Sequence, residues 1–234
     1  MSELPRDRTE VAAFHDLAVE RPIAIPAGSA YLTGSVAVPP APSAVVLIAN
    51  DSGCSRQCEG ERDLARALRG GGLATVFVDV LTPVEQAWPD AAALLRQEVE
   101  LLAKRVEAGR AWIRGQPRLS TLPLVLLGSG GAGPACLLAA AARPRQLAGV
   151  VVRSPRPDLA GMALGRIEAP VMLCMADGQT ANLPGNRAAF DHLDCVRSLL
   201  LVPGRSLDAP QAREQLADAI VAFTRSRVGI RRAA

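Results

Sequence analysis

Five predominantly apolar runs recur along the chain: Ala44–Ala49, Leu73–Val80, Leu122–Leu127, Gly149–Val152 and Val171–Met175. A strand with one face in water alternates apolar and polar residues. A strand buried on both faces does not, and reads as a continuous Val/Ile/Leu run. A sixth run, Ser198–Val202, follows. Helical patterns lie between them at Glu61–Arg69, Asp90–Gly115, Gly131–Ala142, Asn186–Leu193 and Ala209–Ser226. Strands alternating with helices require a mostly parallel sheet wound by helices on both faces. Ahead of the series, Arg21–Pro26 and Tyr31–Val38 alternate and flank the turn Ala27-Gly-Ser-Ala30. They read as an opening antiparallel hairpin.

Length and composition fit this frame. The chain has 234 residues, of which 49% are hydrophobic and 3% aromatic, so its core is built of Ala, Val and Leu. The expected organisation is a polar lead-in over 1–20, one α/β domain over 21–227 and a basic tail over 228–234. A net charge of +3, with arginines scattered among acids, forms no nucleic-acid stripe. No apolar run reaches the length of a membrane span. The polar start carries no signal-peptide core. Five cysteines, an odd number, suggest reduced thiols and a cytoplasmic protein. Cys54 and Cys58 form C-x₃-C with no further pair or nearby His, so no metal is expected. Trp88 and Trp112 read as core or cap residues.

In an open α/β sheet the ligand site lies beyond the carboxyl ends of the strands. Four exits carry polar or glycine-rich sequence: Asn50-Asp-Ser-Gly-Cys-Ser-Arg56, Gly128-Ser-Gly-Gly-Ala-Gly133, Ala176-Asp-Gly178 and Pro203-Gly-Arg-Ser-Leu207. Asn50, Asp51, Ser52, Cys54, Ser129, Gly131, Arg205 and Ser206 are the candidate lining. With Phe77-Val-Asp-Val-Leu-Thr-Pro83, Pro157-Asp-Leu-Ala160, Ala169-Pro-Val-Met172 and Asn186-Arg187, these exits resemble the dienelactone-hydrolase-like branch of the α/β-hydrolases from about Ile23 to Phe223.

The resemblance implies an α/β-hydrolase sheet without a large lid, and ester hydrolysis by a Ser–Asp–His triad. In that family a Ser sits on a sharp strand-to-helix elbow, His takes its proton and an acid orients the His. Here the nucleophile position falls on Gly130, the acid on Asp177 and the His on Leu207. The family's His-Gly after the first parallel strand is Asn50-Asp51. Two of the three triad groups are therefore replaced, and the expected protein is a non-catalytic or strongly impaired one that binds a small molecule or another protein, a homodimer included. A triad stripped of its members retains only about 10³–10⁴-fold catalysis over water.

Two other readings stay open. An active ester or lactone hydrolase would use Ser129, one residue before the elbow position, or Cys54 as nucleophile, or Asp177 as a base acting on water. His15 and His192 are the only imidazoles, and His192 reads as a half-exposed helix residue. Alternatively, the Gly128–Gly133 loop matches G-x-G-x-x-G and opens a helix, so it could hold a nucleotide or a small anion with help from Arg56, Arg153 or Arg205. No organic cofactor is called for by the hydrolase reading.

Overall fold

The computed structural model describes residues 19–51, 58–143 and 147–232. Ser52, Cys54, Arg56, His15 and most of the lead-in lie outside the described residues. The strands are β1 (Arg21–Ala27), β2 (Ala30–Ala37), β3 (Ala44–Asn50), β4 (Leu73–Asp79), β5 (Leu124–Ser129), β6 (Gly149–Arg153), β7 (Val171–Ala176) and β8 (Arg197–Val202). They form one sheet in the order β1-β2-β4-β3-β5-β6-β7-β8. β1 and β2 pair antiparallel, as do β2 and β4, and every other pairing is parallel.

The helices are α1 (Glu59–Gly70), α2 (Pro83–Gln86), α3 (Pro89–Leu95), α4 (Val99–Arg114), α5 (Ala132–Ala142), α6 (Leu183–His192) and α7 (Pro210–Arg232). Short 3₁₀ segments run over Pro157–Arg166 and Thr180–Asn182. The last helix therefore continues past residue 227.

All residues of β3, β4 and β5 are buried, as their unbroken apolar runs require. Successive side chains point to opposite faces. Val45, Leu47, Ala49, Leu124 and Leu126 join the core beneath α4 and α5. Ala44, Val46, Ile48, Val125 and Leu127 join the core beneath α1 and α7. The sheet is thus the middle of three layers. α1 needs only one apolar stripe, Leu64, Ala65 and Leu68. α5 is buried almost all round and is built of Ala, Gly, Cys and Leu, which lets it sit close to the sheet.

One sequence expectation is corrected here. Asp90–Gly115 is two helices, because the chain turns at Arg96–Glu98 between α3 and α4. Residue 99 donates to the Gln97 carbonyl at this turn, and the Arg96 Nε donates to the Asp51 carbonyl at 3.0 Å. A tertiary contact at the site thus fixes the break. Trp88 is the N-cap residue of α3, but it is 68% exposed rather than core. Trp112 packs against the core as expected.

The chain turns back on itself between β4 and β5, which lie on opposite sides of β3. The exits of β3 and β5 therefore diverge into a crevice, the usual place for a ligand in such sheets. The tightest packing beside this crevice is at Gly128. A Cβ there would lie 2.6 Å from the Ala132 carbonyl oxygen, 2.8 Å from the Gly133 Cα and 2.9 Å from the Cys136 Sγ. Gly128→Ala is expected to cost about 1–3 kcal/mol by overpacking, a fall in Tm on the order of 2–10 °C. The control Gly70→Ala meets nothing within 4 Å and should leave Tm unchanged or higher, both read by thermal unfolding.

Candidate functional site

β5 delivers Ser129 and Gly130 to the crevice, and α5 starts two residues later. Gly130 has φ +58°, a left-handed conformation that non-glycine residues adopt at a cost of roughly 1–2 kcal/mol. The left-handed residue between β5 and α5 is therefore Gly130. Two residues earlier, Gly128 packs closely on the backbone of α5.

The first N–H groups of this turn are already used. Gly130 N–H donates to the Arg153 carbonyl at 3.3 Å, and Gly131 N–H donates to the Asp51 carboxylate at 2.8 Å. Asp51 comes from the exit of β3, 80 positions away in the chain. A Cβ placed on Gly130 would run into that carboxylate. Asp51 thus fills the space in which a side chain at position 130 would sit. It also occupies a backbone donor that an anion or an oxyanion would need. Burial pushes the Asp51 carboxyl above its ordinary value, opposed by the Gly131 hydrogen bond and the Arg96 guanidinium.

Ser129 is buried, and its hydroxyl accepts from the Arg153 Nε at 2.6 Å. Arg153 ends β6, and its side chain is only 7% exposed. The guanidinium also pairs with Glu61 of α1 and lies 3.7 Å from Asp208, whose side chain is 79% exposed. Burial lowers the Arg153 pKa, which Asp208 offsets. Two cavities meet at Ser129, Gly130, Arg153 and Asp208. One, of about 390 Å³, opens toward Asn50, Asp51, Glu59, Glu61 and Arg213. The other, of about 230 Å³, opens toward Ser154, Gln179, Asn182, Ser206 and Leu207. Asn186 is fully buried and donates to the Ser154 and Asn182 carbonyls, which ties two walls of the smaller cavity together. The largest cavity among those described, about 650 Å³, lies between the β1–β2 turn and α4 and shares no residue with these two.

The other expected positions are placed as follows. Asp177, after β7, accepts from the Gly204 N–H at 2.9 Å and so caps the turn after β8. Leu207 lines the smaller cavity but is 7% exposed and packs into the core beneath α1 and α7. Ser206 lines the same cavity. Arg205 is exposed, and its backbone packs on Gly178. His192 is exposed and hydrogen-bonds the Ala188 carbonyl of its own helix at 2.7 Å. Among the described residues, therefore, no imidazole reaches the crevice. Cys174 also lines the smaller cavity, and burial pushes its thiol up to about 12, which keeps it protonated at neutral pH. Cys58 is in a disulfide, against the expectation of reduced thiols, whereas Cys136, Cys174 and Cys195 are free. Among the described residues, no group of three or more His, Cys, Asp or Glu side chains is placed to share a metal ion. Nor is any helix long and apolar enough to cross a membrane.

Sequence reasoning named Asp51 as lining and Arg153 as an aid to an anion, not as the hydrogen-bond partners of Gly131 and Ser129, and it missed Glu61 and Asp208. Glu61 looked like an ordinary acidic first-turn residue of α1, and nothing local marks it as the partner of an arginine at a distant strand end.

A mostly parallel eight-stranded sheet, an antiparallel start and a crevice at a sharp strand-to-helix turn define an α/β-hydrolase fold. The comparisons place it further. A dienelactone hydrolase from Anabaena variabilis matches with a TM-score of 0.80 and 30% identity, covering 88% of this chain and 96% of that one. The chain belongs to the dienelactone-hydrolase-like branch of the α/β-hydrolases. Est1E from Butyrivibrio proteoclasticus shares the fold at a TM-score of 0.72 and 11% identity, covering 89% of this chain and 99% of that one. A protein of Mycobacterium tuberculosis named "Putative phosphoribosyl transferase" is 36% identical over 221 residues, 91% of this chain and 48% of that protein. The chain thus spans about half the length of this relative. No family model matches the chain.

The Asp51 geometry has a measurable consequence. Because its folded pKa is raised, the folded protein holds this proton more tightly than the unfolded chain. The group's contribution is most favourable at low pH and declines as pH rises from the ordinary carboxylate value through the raised one. Asp51→Asn keeps an acceptor for the Gly131 N–H without the buried charge. It should be as stable as wild type or more so at pH 7–8, and that advantage should shrink near pH 4 in urea titrations. Asp51→Ala, which orphans the Gly131 N–H, should cost about 1–3 kcal/mol at either pH.

Proposed function

We propose that this chain is a ligand-binding member of its family that does not hydrolyse esters by the triad route. In this reading Gly130, Asp177 and Leu207 stand at the nucleophile, acid and base positions. The observation that carries it is the Asp51 carboxylate lodged where a nucleophile on residue 130 would be, holding the Gly131 N–H. Gly130 has no attacking group, Leu207 has no proton to exchange, and Asp177 is turned to the Gly204 backbone. Ser129 is one residue early and has Arg153, a cation, as its hydrogen-bond partner instead of a base. An acyl oxyanion would have to displace Asp51 to reach the backbone donor.

Retention of two cavities around Arg153 supports binding as the remaining task. Their lining of carboxylates, guanidiniums, amides and hydroxyls suits a small polar molecule better than an apolar ester. The name of the mycobacterial relative leads in the same direction, because a phosphoribosyl group is polar and hydroxyl-rich. A transferase activity of the whole relative is a separate proposal, since this chain matches about half of it.

A fluorophosphonate probe followed by intact-mass measurement tests the reading. The expected result is no adduct while an active serine hydrolase labels fully in parallel. A stoichiometric adduct on Ser129 overturns it and makes the hydrolase reading the leading one. Gly130→Ser alone should gain no esterase turnover above buffer and should melt at lower temperature, because the new side chain meets Asp51 in a left-handed backbone conformation.

A further inference from the structure

The larger cavity holds acceptors in excess of donors. Among the described residues, Asp51, Glu59, Glu61 and Asp208 line it, against the guanidiniums of Arg153 and Arg213. The Glu61 side chain is nine-tenths buried, and only one of its carboxylate oxygens is engaged by Arg153. The other, Oε2, is buried without a hydrogen-bond partner. A buried carboxylate oxygen left unmatched is costly, and its usual remedy is a donor from a ligand or water. At the other end of the cavity Asp51 faces the space opened by the missing side chain of Gly130.

These features decide among ligand classes. An anion is disfavoured by four carboxylates against two guanidiniums among the described residues, and its natural seat at the Gly131 N–H is occupied. A metal ion finds no shared cluster of ligands among the described residues. An ammonium group would satisfy Glu61 but would offer no acceptor to Arg153 and would be repelled by it. A hydroxyl both donates and accepts, so it can serve Glu61 Oε2 or Asp51 while taking a hydrogen bond from Arg153. Two adjacent hydroxyls match the two oxygens of one carboxylate. A volume of about 390 Å³ is ample for one sugar ring.

We propose that the cavity between Asp51 and Glu61 binds a small neutral polyol through its vicinal hydroxyls, with Arg153 donating to the same hydroxyl oxygens. This rests on the reading that the crevice binds without hydrolysing. Asp51 here is an acceptor for ligand hydroxyls in place of a nucleophile. Glu61 is both the counter-ion of Arg153 and the deepest contact of the ligand.

Saturation-transfer NMR and calorimetry on the whole chain, with D-ribose, 2-deoxy-D-ribose and inorganic phosphate as probes, test this. D-Ribose should bind in the millimolar range, and 2-deoxy-D-ribose, which lacks the 2,3-diol, at least tenfold more weakly. Phosphate should neither bind nor compete. Glu61→Gln should weaken D-ribose tenfold or more. Because removing a buried counter-ion risks misfolding, Asp51→Asn, expected to remain folded, should independently weaken it at least threefold. No binding of D-ribose at 50 mM, equal binding of the deoxy sugar, or tighter binding of phosphate overturns the proposal. Fluorophosphonate labelling of the same sample separates the two failures. Loss of polyol binding without an adduct rejects only the ligand class, whereas an adduct rejects the non-hydrolytic reading itself.

Discussion

The central strands have no face left for water, and most of what is distinctive about the molecule follows from that constraint. β3, β4 and β5 are buried along their whole length, with one core beneath α4 and α5 and a second beneath α1 and α7. Charged groups, which would be costly within these three strands, are displaced to the strand ends. The carboxyl ends of β3, β5 and β6 accordingly gather Asn50, Asp51, Ser129 and Arg153. Because β4 and β5 flank β3 on opposite sides, these ends surround a crevice rather than a closed surface.

Within that crevice the α/β-hydrolase architecture surrounds a linked set of buried charges. A sharp left-handed turn at Gly130 and close packing at Gly128 bring the start of α5 to the strand ends. In a hydrolase such a turn presents a nucleophile beside free backbone donors. Here Asp51 takes the Gly131 donor, and Arg153 links Ser129 to Glu61. Each buried charge has a partner, as burial demands. Arg96, at the break between α3 and α4, braces the Asp51 backbone, so the junction of these two helices is tied to this network.

The resemblance carried by the strand exits is matched by the fold and by the Anabaena dienelactone hydrolase, at 30% identity. A shared fold does not transmit a shared reaction. The reaction of this family depends on a nucleophile and a base at two separate loops. Here the turn after β5 carries Gly130, which has no side chain, and the segment after β8 carries Leu207, which is absorbed into the core.

Sequence alone determined the strand series, the opening hairpin, the glycine-rich elbow and the identity of the residues at each exit. Unbroken apolar runs, turn residues and helical periodicity are local signals, and the forces behind them act between neighbours in the chain. Local patterning also made Asp90–Gly115 look like one helix, because the contact that breaks it comes from Asp51, 45 positions away from Arg96. Only the tertiary structure decided which side chains meet. Asp51 reaches Gly131 across 80 positions, and Arg153 at the end of β6 finds Glu61 in the first turn of α1. Nothing near Glu61 in the sequence distinguishes it from an exposed first-turn acid. Pairings of this kind are set by where the sheet brings distant strand ends together, and by the cost of leaving a buried charge alone.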